Sequence, residues 1–116
     1  MLFKQLNLNK SKNACDILCH MISKSKTETV YLLQEPYRLK NGRVPGVPRN
    51  YLVFGEKDSR AIIIAPKNSK FGYCPEFSSK DISTCLLVEG TKKWYITSLY
   101  LDQKLTQNLF AHIGLH

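Results

Sequence analysis

No apolar run in this 116-residue chain approaches the length of a membrane-spanning helix, so a helical transmembrane protein is excluded. The opening Met1-Leu2-Phe3-Lys4 has neither the apolar stretch nor the small-residue cleavage site of a secretory signal, and an intracellular protein is expected. There is no internal repeat, low-complexity segment or interdomain linker, which leaves one domain or a piece of one. No Cys-x-x-Cys pair occurs, so a zinc site is not expected. Cys15 and Cys19 lie one helical turn apart, a spacing that does not suit a disulfide between them. With Cys74 and Cys85 they read as four free thiols. Acid is scarce: nine Asp and Glu stand against seventeen Lys and Arg, a net charge of +8 that favours an anionic partner. Hydrophobic residues make up 43%, enough for a real core and too many for a disordered chain.

The most informative stretch is Leu32-Leu33-Gln34-Glu35-Pro36-Tyr37. Val30 to Leu33 are apolar at consecutive positions, which predicts a strand covered on both faces. Pro36 pushes the residue before it towards extended backbone, so Glu35 is expected at the strand's end, extended and unable to start a helix. A lone acid held there is what a hard cation such as Mg²⁺ takes from a protein, with water and substrate phosphate filling its other positions.

Upstream, Gln5-Leu6-Asn7-Leu8-Asn9 alternates, which predicts a strand with Leu6 and Leu8 towards the core. Ser11 or Asn9 can cap a helix in which Ala14, Ile17, Leu18, Met21 and Ile22 recur on one side. Thr29 to Gln34 follows as the next strand. If the two strands lie side by side, Asn7 and Glu35 share one rim. Downstream, Tyr51 to Gly55, Arg60 to Ala65, Thr84 to Val88 and Lys93 to Tyr100 read as strands. Glu89 to Lys92 reads as a hairpin loop, and Gly42 to Pro48 as an irregular loop. One helix on a largely antiparallel run of strands is a mixed α+β layer.

Asn7-Leu8-Asn9 after a short strand, then a helix, then Leu33 to Arg38, resembles the start of an endonuclease/exonuclease/phosphatase domain. It is most similar to the apurinic-like endonuclease of non-LTR retrotransposons, especially the insect site-specific type. Further pieces follow in order. Ser59 to Ile64 resembles the family's "RAAI" strand, Phe77 to Asp81 the approach to its next strand, and Tyr95 to Leu101 the strand that ends in its active-site tyrosine. The resemblance covers residues 4 to about 102, with 103–116 a divergent tail.

It implies one layer of a DNase I-like four-layer α/β sandwich, with the C-terminal half, its Asp-x-Asn pair and its closing histidine absent. One face of that layer would then lack cover, which predicts an exposed apolar patch or association with another chain. The implied activity is Mg²⁺- or Mn²⁺-dependent phosphodiester hydrolysis on DNA, in the nucleus, with little or no turnover by this chain alone. Glu35 would hold the metal, with Asn9 a further candidate weakened by being an amide. Asn7 would orient the site, and Tyr100 would donate to the phosphate. Tyr37, Arg38, Lys40, Arg43 and Arg49, with Lys10 and Lys12 beside the other strand end, form a basic rim suited to a phosphate backbone. His112 and His116 are four apart in a stretch that reads as a short amphipathic helix, and are assigned no catalytic role.

Overall fold

The computed structural model describes residues 1–101; the tail with His112 and His116 lies outside the described residues. Seven strands, one α-helix and one short 3₁₀ turn occur along them. The order is β1 (Leu2–Asn7), α1 (Lys12–Lys24), β2 (Thr29–Gln34), β3 (Tyr51–Phe54), β4 (Ala61–Pro66), β5 (Phe71–Tyr73), a 3₁₀ turn (Pro75–Phe77), β6 (Ile82–Glu89) and β7 (Lys92–Leu99). No described helix is long and apolar enough to cross a membrane.

The strands form two sheets rather than the single layer expected from the sequence. The first has the order β1-β2-β4-β3 and the second β5-β6-β7. In the first, β1 and β2 run parallel, joined across α1, with Asn7 opposite Gln34. β4 then pairs antiparallel with both β2 and β3. The second sheet is antiparallel throughout. Its β6–β7 hairpin closes at Glu89 and Lys92 around Gly90, whose φ of +61° a side chain would strain.

β2 is covered on both faces, as its continuous apolar run requires. On one face Tyr31 and Leu33 join Leu8, Cys15, Leu18, Ile22, Ile62 and Ile64 in a core under α1. On the other Val30 meets Ile63, Ala65 and Cys85 between the sheets.

The helix forms where the spacing placed it. Ser11 caps it by accepting from the Ala14 N–H at 3.1 Å. Its buried stripe is Cys15, Leu18, Cys19 and Ile22, whereas Ile17 and Met21, expected in the core, are 62% and 56% exposed. Leu6, also expected inside, is 44% exposed. The physical reason is common to all three. Among the described residues β1 is an edge strand that pairs only with β2, and the second sheet packs over β2 and β4. Leu6, Ile17 and Met21 instead line one apolar hollow between β1 and α1 that stays open to solvent among the described residues.

A polar seam ties the two sheets together at one end. Ser83 Oγ and Ser59 Oγ both donate to the Ala61 carbonyl, at 2.6 and 2.9 Å. Ser98 Oγ donates to the Leu33 carbonyl at 3.0 Å and accepts from Gln34 Nε2 at 3.1 Å. All five residues Gln34, Ser59, Ala61, Ser83 and Ser98 are buried, so these bonds satisfy groups that would be costly to leave unpaired.

Candidate active site

The seam lies beneath the mouth where β2 ends. Glu35 leaves β2 with φ +49°, in the left-handed region rather than the extended one that Pro36 suggested. Three neighbours hold that conformation. The Glu35 N–H donates to the Arg60 carbonyl at 2.7 Å, its carbonyl accepts from the Lys10 N–H at 2.8 Å, and the adjacent Gln34 carbonyl accepts from the Leu8 N–H at 2.9 Å. A non-glycine residue in this region costs of order 1–3 kcal/mol, which surrounding contacts must offset. The half-buried Glu35 carboxylate takes no hydrogen bond or ion pair from the described residues.

Glu35 lines a cleft of about 510 Å³. Its walls carry the cations Lys10, Arg38, Arg60 and Lys80, the ring of Tyr37 and a second acid, Asp58. Arg60, Lys80 and Asp58 were not singled out from the sequence. Arg60 is fixed by a bidentate pair with Asp81, at 2.6 and 2.8 Å, and its guanidinium sits 4.6 Å from the centre of the Tyr100 ring. The Tyr100 N–H donates to the Asp81 carbonyl at 2.9 Å. Tyr100 therefore stands one side chain back from the cleft, stacked on a residue that lines it. The Arg60 guanidinium holds the Asp81 carboxyl below its ordinary pKa, chiefly through this hydrogen bonding.

Other expected residues are placed differently. Asn7 and Gln34 are register partners, so the ends of β1 and β2 do lie side by side. The Asn7 Oδ1, however, accepts from the Asn9 N–H at 2.9 Å, and Asn7 lines a separate apolar hollow beside α1. Asn9 (φ +51°) and Lys10 (φ +58°) form the left-handed turn into the helix, which this Asn7 bond supports. Asn9 is exposed and is not among the residues lining the cleft.

The basic residues also divide. Lys12 pairs with Asp16 at 3.0 Å, which raises its pKa through the hydrogen bond. Arg38 donates to the Gly42 carbonyl at 2.7 Å and to Ser59 O at 2.8 Å, so it braces the following turn as well as walling the cleft. Burial lowers its pKa, and Asp58 works in the opposite direction. Arg43 and Arg49 line a neighbouring hollow, and Lys40 is exposed. Tyr37 is half-buried, with its N–H donated to Cys15 Sγ at 3.2 Å.

A Mg²⁺ ion is commonly held through one or two carboxylates, with water and phosphate completing its shell. An unengaged, half-buried carboxylate at the mouth of a cationic cleft fits that requirement. A cage of protein ligands does not form here, because the described residues contain no cluster of three or more His, Cys, Asp or Glu suited to a metal.

Two sheets, one helix and a carboxylate at the mouth above their joined ends make a mixed α/β fold of the endonuclease-like kind. The endonuclease domain of TRAS1, a telomere-specific non-LTR retrotransposon, shares it with a TM-score of 0.66 at 19% sequence identity. The match covers 95% of this chain and 49% of that one, so the chain spans about half the length of that domain. No family model matches the sequence, and no curated protein does.

Proposed function

We propose that this chain is the N-terminal half of a metal-dependent DNA endonuclease domain of the non-LTR retrotransposon type, insect-like and nuclear, whose job is to nick a target phosphodiester. The observation that carries the reading is Glu35: a strained, unengaged carboxylate at the mouth of a cationic cleft. Strain of this kind gathers at working sites, where the surrounding structure enforces it. The likeness to a retrotransposon endonuclease domain supports the same reading.

In this mechanism Glu35 would hold Mg²⁺ or Mn²⁺, and the ion would supply Lewis-acid polarisation of the phosphate and charge stabilisation at the leaving oxygen. Lys10 and Lys80 draw the phosphodiester backbone into the cleft and hold it there. Tyr100 stacks on Arg60 and holds that guanidinium at the cleft wall, one side chain back from the phosphate. Asn7 acts on the site through the turn it stabilises. Activation of the attacking water falls to residues that the second half of such a domain supplies, so turnover by this chain alone is slow.

A supercoiled-plasmid nicking assay tests the reading. The expected result is nicking in Mg²⁺ that EDTA and Glu35→Ala both abolish. No nicking above Glu35→Ala, in protein shown by circular dichroism to be folded, overturns the enzyme and leaves a polynucleotide-binding remnant. One observation favours that second reading: the Asn7 amide oxygen is already engaged within the chain.

A further inference from the structure

Beside the cleft lies a second hollow of about 440 Å³ with a different character. Its lining holds four cations, Arg38, Arg43, Arg49 and Lys67, and no acid. Three come from one basic segment, Arg38 to Arg49, and the fold brings Lys67 to join them. The Leu39 N–H donates to the Arg43 carbonyl at 2.9 Å and the Gly42 N–H to the Leu39 carbonyl at 2.8 Å, a tight turn that Arg38 clamps from inside. Arg49 and Lys67 come together because β3 and β4 pair with Tyr51 opposite Pro66, and the Lys67 N–H donates to the Asn50 carbonyl at 2.8 Å. Its lining also includes Leu52 and Val53, both exposed on the β3 edge.

The two hollows share a wall, because Arg38 lines both. Arg60 stands at one end of β4 and Lys67 at the other, about 20 Å apart at the rise of an extended strand. Each strand of a duplex advances about 3.4 Å along the helix axis per phosphate, so the distance corresponds to several consecutive phosphates.

We infer that the hollow of Arg43, Arg49 and Lys67 is a second binding site for the phosphodiester backbone of a polynucleotide, continuous with the cleft at Glu35. The inference rests on the reading of that cleft as a phosphodiester site, and it adds the path the substrate takes away from it. The backbone leaves the cleft past Arg38 and lies along the β3 edge, with its phosphates on the three cations and its sugars against Leu52 and Val53. Lys67 joins the interface, although its distance from the basic segment in sequence conceals this. A small phosphate ester would fill the cleft alone and leave the hollow unused.

Fluorescence anisotropy with a labelled 20-base-pair duplex, measured across salt concentration, tests the inference. The comparison is between Arg43→Gln/Arg49→Gln/Lys67→Gln and a control of equal charge change, Lys26→Gln/Lys92→Gln/Lys93→Gln, drawn from outside both hollows. The slope of log affinity against log salt should fall in magnitude by about 2–3 in the first variant, because each lost phosphate contact removes about 0.9. In the control it should be unchanged. With a two-nucleotide probe, too short to reach the hollow, the first variant should match wild type.

Equal losses in both triple variants would reduce the effect to net charge and overturn the inference. So would an absence of duplex binding by the wild-type chain. An acidic peptide that loses the same affinity as the duplex in the first variant would make the hollow a general anion site, and would overturn it too. Single Lys67→Gln, which changes one exposed side chain, keeps the test decisive should the triple variant fold poorly. The outcome is separable from the nicking assay: salt slopes report the path of the backbone whether or not Glu35 supports cleavage.

Discussion

At the scale of single residues, Glu35 shows how position and conformation differ in legibility. Its place at the end of β2 follows from an apolar run stopped by a proline. Its left-handed φ does not, because that is imposed by partners at Leu8, Lys10 and Arg60, two of them reached only through sheet pairing. Replacing Glu35 by Gly should therefore give a protein about 1 kcal/mol more stable than replacing it by Ala, since only Gly enters this region without a Cβ penalty. Urea midpoints of the two variants measure the difference, and both should lack Mg²⁺-dependent nicking. The Arg60–Asp81 pair was not legible as a functional element, because it joins residues 21 apart across two sheets. Its carboxyl has a lowered folded pKa, so its stabilisation is present above the unfolded value near 3.9 and lost as pH falls through the folded value. Asp81→Asn should cost at most about 1 kcal/mol at pH 7 for so exposed a pair, and the gap to wild type should narrow as the pH falls below the unfolded value, as read by denaturant unfolding at each pH. The four cysteines, all free and buried, match the sequence reading. Burial pushes the Cys85 thiol up to about 12.

At the scale of elements, what the sequence revealed best were the runs with their own periodicity. Thr29 to Gln34 is a strand with the expected bounds, and β4, β6 and β7 fall within two residues of theirs. β5 and the 3₁₀ turn went unseen because three residues are too few to carry a period. The division into two sheets was equally hidden, since it depends on which strands pair at long range. Gly55 is a hinge of that arrangement. A Cβ there would stand 2.8 Å from Ser59 Oγ, 3.0 Å from Ile62 Cγ2 and 3.1 Å from Ser83 Oγ, within the seam that joins the sheets. Gly55→Ala should therefore cost about 1–3 kcal/mol by overpacking, visible as a lowered melting temperature. It should also disturb the cleft, because Ser59 is the residue that receives Arg38. A substitution at Gly72, where an added Cβ meets nothing within 4 Å, is the natural comparison.

At the scale of the whole molecule, the charge balance was legible from composition, and its geography was not. Seventeen cations could have been spread evenly. Instead Lys10, Lys80, Arg38, Arg43, Arg49 and Lys67 fall along two adjoining hollows. The apolar flank was anticipated in kind, and the structure locates it: Leu2, Phe3, Leu6, Ile17 and Met21 stand exposed on and beside β1. Among the described residues β1 closes one end of its sheet, so a further strand from any source could pair there. Lys4, exposed at the middle of β1, discourages indiscriminate pairing there, as charged residues do on many free edges.

The edge of β1 left free among the described residues also sets the tempo at which protons leave the backbone. In a strand bonded on one side only, successive amides point alternately towards the neighbour and out to water. Along Leu2 to Asn7 deuterium uptake should then read as a ladder, one rung slow and the next fast. Across Tyr31 to Gln34 of β2, paired with both β1 and β4, every rung should be slow. A partner, whether a second chain or a further stretch of the same one, would announce itself by silencing the fast rungs of β1 alone.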